Sequence, residues 1–200
     1  MQGRLREQWH VRMGRASTPS AELIDAQSTR LSPQGCESGF DAGKKVKGRK
    51  RHLVVDTMGL IIAVSVTPAS VQDRDAAAVV ATQACSKSPL LEKLYADGAY
   101  GGKRAYYIEQ AHRNRVEVVR HPANGTTGTL HDPKIAPEHA MGMHAGFMVL
   151  LMRWVVERTH AWSERWRCTV MHHDRKLGVS AAWVWLAEVR ILLNRLAYKS

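Results

Sequence analysis

His52-Leu53-Val54-Val55-Asp56-Thr57-Met58-Gly59-Leu60-Ile61-Ile62-Ala63-Val64-Ser65-Val66-Thr67 holds two runs rich in Val and Ile on either side of a short break. Branched side chains of this kind pack well on a pleated surface. Thr57-Met58-Gly59 supplies the turn, so the stretch predicts an antiparallel hairpin of His52–Asp56 against Leu60–Thr67. Pro68 ends the second strand, because proline cannot donate to a ladder.

Outward from the hairpin, strands and helices alternate. Upstream, Glu22 to Thr29 reads as a strand with Asp25 in its middle, against the local propensity of Asp. Downstream, Asp73-Arg74-Asp75 opens a helix to about Cys85, with acids where the helix dipole favours them. Leu94-Tyr95-Ala96-Asp97-Gly98-Ala99-Tyr100 is a short strand running into a glycine turn, with Asp97 at its C-terminal end. A helix over Lys103 to His112 and a strand over Val116 to Arg120 follow. Residues 121–145, with three prolines and several glycines, read as an irregular insertion. A helix from about Phe147 to Trp166 places Leu151, Val155, Trp162 and Trp166 on one face and Glu157 well off it. Ser180 caps a last helix whose apolar stripe is Ala182, Leu186, Val189, Leu193 and Leu196, expected to pack into the core. This order predicts an α/β fold: a mixed five-stranded sheet flanked by helices. Residues 1–20 form a basic N-terminal segment, either a short helix or loose chain, ahead of one domain over 21–200.

The chain has 200 residues and a net charge of +11 from 29 Lys and Arg against 18 Asp and Glu. That length buries a sizeable core, and that charge favours polyanions, nucleic acid first among them. The three cysteines, Cys36, Cys85 and Cys168, form no CxxC, which fits a reducing compartment without a disulfide framework. The histidine pairs His139/His144 and His172/His173 lack companion cysteines and make poor zinc candidates. The longest apolar runs, Leu60–Val64 and Phe147–Met152, are too short to span a bilayer, and the N-terminus has no signal-peptide core. In Lys44-Lys45-Val46-Lys47-Gly48-Arg49-Lys50-Arg51-His52, six of nine residues are Lys or Arg. The run reads as a solvated charged surface or as a segment that tracks phosphates.

Three carboxylates then stand out: Asp25, Asp97 and Glu157. If the first and fourth strands are neighbours, the two aspartates lie side by side and a helix packed over them brings the glutamate down. Three clustered carboxylates repel and need cations. All-oxygen ligands suit Mg²⁺ or Mn²⁺, and a pair of such ions clamps an in-line displacement at phosphorus. Asp56 is the rival to Asp25, with the alternative role of a hairpin-turn residue.

The stretches Ile24–Ser28, Gly39–His52, Val55–Leu60, Ala69–Asp75, Tyr95–Tyr100 and Arg153–Trp162 together resemble bacterial insertion-sequence transposases of the DDE class, more narrowly the insertion-sequence-five type. The resemblance runs from about residue 5 to the C-terminus. It implies an RNase H-like fold and a catalytic, metal-binding triad of Asp25, Asp97 and Glu157. It further implies Mg²⁺-dependent cleavage at transposon ends, with joining of the free 3′-hydroxyl to target DNA. On this reading Lys44, Lys45, Lys47, Arg49, Lys50, Arg51, Arg153, Arg158 and Arg165 grip phosphates, and Trp154 or Trp162 stacks on a base.

The implied partners are double-stranded DNA, further copies of the chain on that DNA, and a separate N-terminal polypeptide. The implied location is the bacterial cytoplasm, at the nucleoid. Two departures stand against the pattern. Family members carry a further N-terminal region implicated in DNA binding, and Leu150-Leu151-Met152 replaces a proline and a basic residue before Arg153-Trp154. Two other classes therefore stay open: a non-catalytic DNA-binding remnant, and an RNase H-like nuclease that cuts without joining.

Overall fold

A computed structural model describes residues 1–34, 37–97, 115–119 and 153–198, with the side chains of Arg74, Asp97, 115–119 and Arg153 outside that description. The expected helix over 103–112, the insertion over 121–145 and residues 147–152 also lie outside it.

The hairpin forms as β3 (Val46–Asp56) and β4 (Ile61–Pro68). β3 begins earlier than the Val/Ile pattern predicts, because Val46–Arg51 also finds ladder partners. On one side β3 pairs antiparallel with β1 (Ala21–Arg30). On its other side it pairs with β4 and with the three-residue β2 (Gly39–Asp41), which the sequence did not predict. β1 then pairs parallel with β5 (Lys93–Asp97), and β5 parallel with β6 (Arg115–Val119). The five expected strands thus lie in one mixed sheet, extended by the short β2.

Asp56 closes the hairpin. Its Oδ1 accepts the amides of Met58 at 2.8 Å and Leu60 at 3.0 Å, and its Oδ2 faces His10 Nε2 at 2.7 Å. Both Asp56 and His10 are buried. The rival to Asp25 is therefore a turn residue, as the alternative reading had it. His10 comes from α1 (Gln2–Arg12), a helix packed on the C-terminal helix rather than loose chain.

The pleat sorts the sheet's side chains onto two faces. Ile24, Val54, Ile62, Leu94 and Ala96 pack with Ala77, Val80, Ala81 and Ala84 of α2 (Asp73–Lys87). Leu23, Leu53, Val55, Ile61 and Val64 pack on the opposite face with Val155 and Val156 of α3 (Arg153–Ser163) and Val184 of the last helix. Each fully buried Val or Leu contributes about 1.5–3 kcal/mol. A four-residue helix, α4 (Arg167–Val170), leads on to the final helix, α5 (Leu177–Ala197).

α5 corrects two expectations. It starts at Leu177, so Ser180 is not its cap; the buried Ser180 hydroxyl instead accepts Arg49 Nη1 at 2.7 Å. Its inward face is Ser180, Val184, Ala187, Glu188 and Leu192, whereas Ala182, Leu186 and Leu193 are exposed. α5 is long and apolar enough to cross a membrane by length and composition, with a mean hydropathy of 1.3 over its best window. In this fold it packs against α1 and β4.

Candidate active site

Asp25 sits mid-strand on β1, on the face that carries Leu23 and meets α3. The parallel ladder to β5 pairs Leu23 with Tyr95 and Ile24 with Ala96. The next backbone positions are Asp25 and Asp97, so the two aspartates follow one another across adjacent strands about 4.8 Å apart. Asp97 is the last residue of β5, as predicted, and its side chain lies outside the described atoms.

α3 lies over β1 and β3. Its buried residues Val155, Val156 and Thr159 hold it down, and Thr159 Oγ1 donates to the Gly59 carbonyl at 2.7 Å. Gly59 has φ of +80° at the hairpin turn, and a Cβ there would meet Thr159 Oγ1 at 2.8 Å. Glu157 is exposed, off the packed face. One turn further on, His160 is buried and places Nε2 3.8 Å from Asp25 Oδ2. Burial, with the positive charges of Arg51 and Lys44, pushes its imidazole down to about 3, so the ring is neutral near pH 7. The sequence reading missed His160; its spacing of three from Glu157 was the available signal.

The basic run divides. Lys44, Lys45 and Lys47 are exposed, and Lys44 Nζ also donates to the Ala26 carbonyl at 2.8 Å. Arg49, Lys50 and Arg51 are buried, which corrects their placement in a phosphate-tracking strip. They belong to β3, and the strand's two-residue period turns them alternately to the two covered faces. Arg49 donates to the carbonyls of Glu37 and Arg175 and to Ser180 Oγ. Arg51 donates to the Thr169 carbonyl at 2.9 Å and to Gln27 Oε1 at 2.6 Å, and Glu164 Oε1 lies 3.5 Å from the same nitrogen. On the opposite face Lys50 Nζ meets Asp73 at 2.8 Å, Asp41 at 3.3 Å and the Val71 carbonyl at 2.9 Å.

The arginines and tryptophans of α3 also pair with each other. Arg158 stacks on Trp154 at 4.4 Å and Trp162 at 4.5 Å, and its Nη2 donates to the Met58 carbonyl at 3.0 Å. Arg195 of α5 stacks on Trp162 at 4.4 Å. Arg158 and Trp162 are thus engaged in tying α3 to the hairpin turn and to α5. Trp154 remains 47% exposed. Arg165 is exposed on the rim of a cleft of about 400 Å³ shared with Trp162, Trp166, Ile191, Asn194 and Arg195. The Arg153 side chain lies outside the description. His172 is buried where its backbone bridges β1, while His173 is exposed.

Among the described residues no three His, Cys, Asp or Glu side chains converge on one point. The donor set still fits a hard divalent cation: Asp25 is 19% exposed, and Asp25 and Asp97 each directly follow the Ile24–Ala96 ladder pair. Oxygen donors of this kind select Mg²⁺ or Mn²⁺ over zinc.

The transposase DDE domain model matches residues 17–192, most of the chain. The chain belongs to the transposase DDE domain family. Nothing among curated proteins matches it. Among solved structures, a chain from the cryo-EM structure of the simian T-cell lymphotropic virus intasome in complex with PP2A regulatory subunit B56 gamma is similar at a TM-score of 0.50 and 14% identity, over 84% of this chain and 48% of that one. That likeness places this DDE domain in the RNase H-like α/β fold. The crystal structure of the Mos1 mariner paired end complex with Mn resembles it more loosely, at a TM-score of 0.36 and 9% identity over 96% of this chain and 59% of that one. The DDE domain described here spans about half the length of the solved structures it matches.

Proposed function

We propose that this DDE domain cleaves DNA at the ends of a bacterial insertion sequence of the insertion-sequence-five type and transfers the freed 3′-hydroxyl into target DNA. The observation that carries this reading is the succession of Asp25 and Asp97 on neighbouring parallel strands, beneath the helix that bears Glu157. Asp25, Asp97 and Glu157 would hold Mg²⁺, with Mn²⁺ as a substitute and two ions as the expected number. When bound, such ions activate the attacking oxygen and stabilise the leaving one.

The protein's own contribution is positional. On this reading the β1–β5 ladder sets the backbones of Asp25 and Asp97 on neighbouring strands, and the bond from Thr159 to the Gly59 carbonyl, which ties α3 to the hairpin turn, would keep Glu157 within reach of them. Lys44, Lys45, Lys47 and Arg165, all exposed, would meet phosphates at the rim, and exposed Trp154 offers a ring for stacking. The working assembly we assign is a homo-oligomer on DNA at the bacterial nucleoid.

The test is nicking of a plasmid that carries the element's ends, in Mg²⁺ and in Mn²⁺, with Asp97→Ala alongside. Nicks at the ends that need metal and disappear in the variant support the reading. Salt-sensitive DNA binding with no nicks would favour the non-catalytic DNA-binding role, and nicks without joined products a nuclease.

A further inference from the structure

We propose that His160 is a positioning residue for Asp25, its ring N–H donating to the carboxylate and fixing the direction in which Asp25 presents its oxygens. This rests on the reading of Asp25 as a metal-holding carboxylate.

Three observations carry it. First, His160 Nε2 lies 3.8 Å from Asp25 Oδ2, just beyond hydrogen-bond range. A shift of a few tenths of an ångström between the two groups would bring them into that range. Second, both ring nitrogens of His160 are buried and neither has a hydrogen-bond partner. An unpaired buried polar atom is destabilising, because it gives up its bonds to water and gains none in return. Phe would fill the same space without that cost, so packing alone does not account for an imidazole here. Third, His160 lies about one helical turn after Glu157, buried against the sheet where Glu157 is exposed. Next to His160, Thr159 Oγ1 donates to the Gly59 carbonyl and ties this turn of the helix to the hairpin. The ring is thus held in place against β1, beside an Asp25 side chain that is 19% exposed.

Partners that orient a ligating carboxylate change metal affinity by about 10–100-fold. The experiment is direct Mn²⁺ binding, read by electron paramagnetic resonance of the free ion, on the full chain as wild type, Asp25→Asn, His160→Phe, His160→Leu and His160→Gln. Thermal melts run in parallel. We expect the two apolar variants to weaken Mn²⁺ binding by about tenfold or more while melting at or above the wild-type temperature. Gln, which keeps an N–H donor, restores most of the affinity. Apolar variants that bind Mn²⁺ like wild type, while Asp25→Asn loses it, would overturn the positioning role and leave the metal site standing. A Gln variant as weak as Phe would overturn it too. If Asp25→Asn binds as tightly as wild type, the metal site itself is misplaced and the proposal falls with it.

Discussion

Ile24 of β1 and Ala96 of β5 are register partners in a parallel ladder, and each is followed by an aspartate. Asp25 and Asp97 therefore owe their proximity to backbone pairing rather than to loop conformation. Substituting Asp25→Asn or Glu157→Gln leaves that pairing intact. Each is expected to lower plasmid nicking by about 10³ or more, a barrier increase near 4 kcal/mol. DNA binding in gel shifts should change little. A Glu157→Gln protein that nicks at the wild-type rate would remove Glu157 from the site.

The divided basic run gives opposite expectations for its two halves. Replacing exposed Lys44, Lys45 and Lys47 together by Ala should flatten the salt dependence of DNA binding by up to about 2.7 in slope, with an unchanged melt. Arg51→Ala instead strips partners from Gln27 and the Thr169 carbonyl in the interior. It should destabilise the fold by about 3 kcal/mol, read by urea unfolding. Equal effects from both sets would contradict the division.

Two buried carboxyls set a pH dependence. Burial raises Glu188 to about 8, despite its acceptance of the Ile61 amide. Burial likewise raises Glu22 to about 7, with Ser88 as a polar neighbour that makes no ordinary hydrogen bond to it. In the unfolded chain both titrate near 4.5. Between those values the native state holds more protons than the unfolded one, so stability falls as pH rises from about 4.5 to 8. Glu188→Gln should melt several degrees higher than wild type at pH 8 and nearly level with it at pH 4.5. A larger gain at low pH than at high pH would reverse the sign and refute the assignment.

Gly59→Ala combines a left-handed backbone with a close approach to Thr159 Oγ1. It is expected to cost about 1–3 kcal/mol and to loosen α3 from the hairpin. Hydrogen exchange at α3 amides would report that loosening; unchanged protection there would mean the turn does not anchor the helix.

The hairpin was legible because Val and Ile density, a glycine turn and a terminal proline all agree. The place of Asp25 inside a strand was legible from the residues around it, against the propensity of Asp itself. The fate of Arg49, Lys50 and Arg51 was not, because a charge run carries no sign of which residues a pleat will cover. β3 is roofed on both faces, so polar side chains within it had to find internal acceptors. α5 misled for another reason: apolar residues surround most of its circumference, so the pattern could not choose Val184 and Leu192 over Leu186 and Leu193. The His10–Asp56 contact was invisible, since nothing in residues 1–20 marks which of their polar groups will be buried.

The β3–β4 hairpin closes across a few residues, whereas β1 meets β5 only after the hairpin and α2 have been laid down between them. Local pairings form readily and distant ones wait on loop closure. The two aspartates thus come together through one of the sheet's slower contacts. On the proposed reading, a partly folded chain would carry its exposed lysines before the two aspartates that are to share metal ions have met.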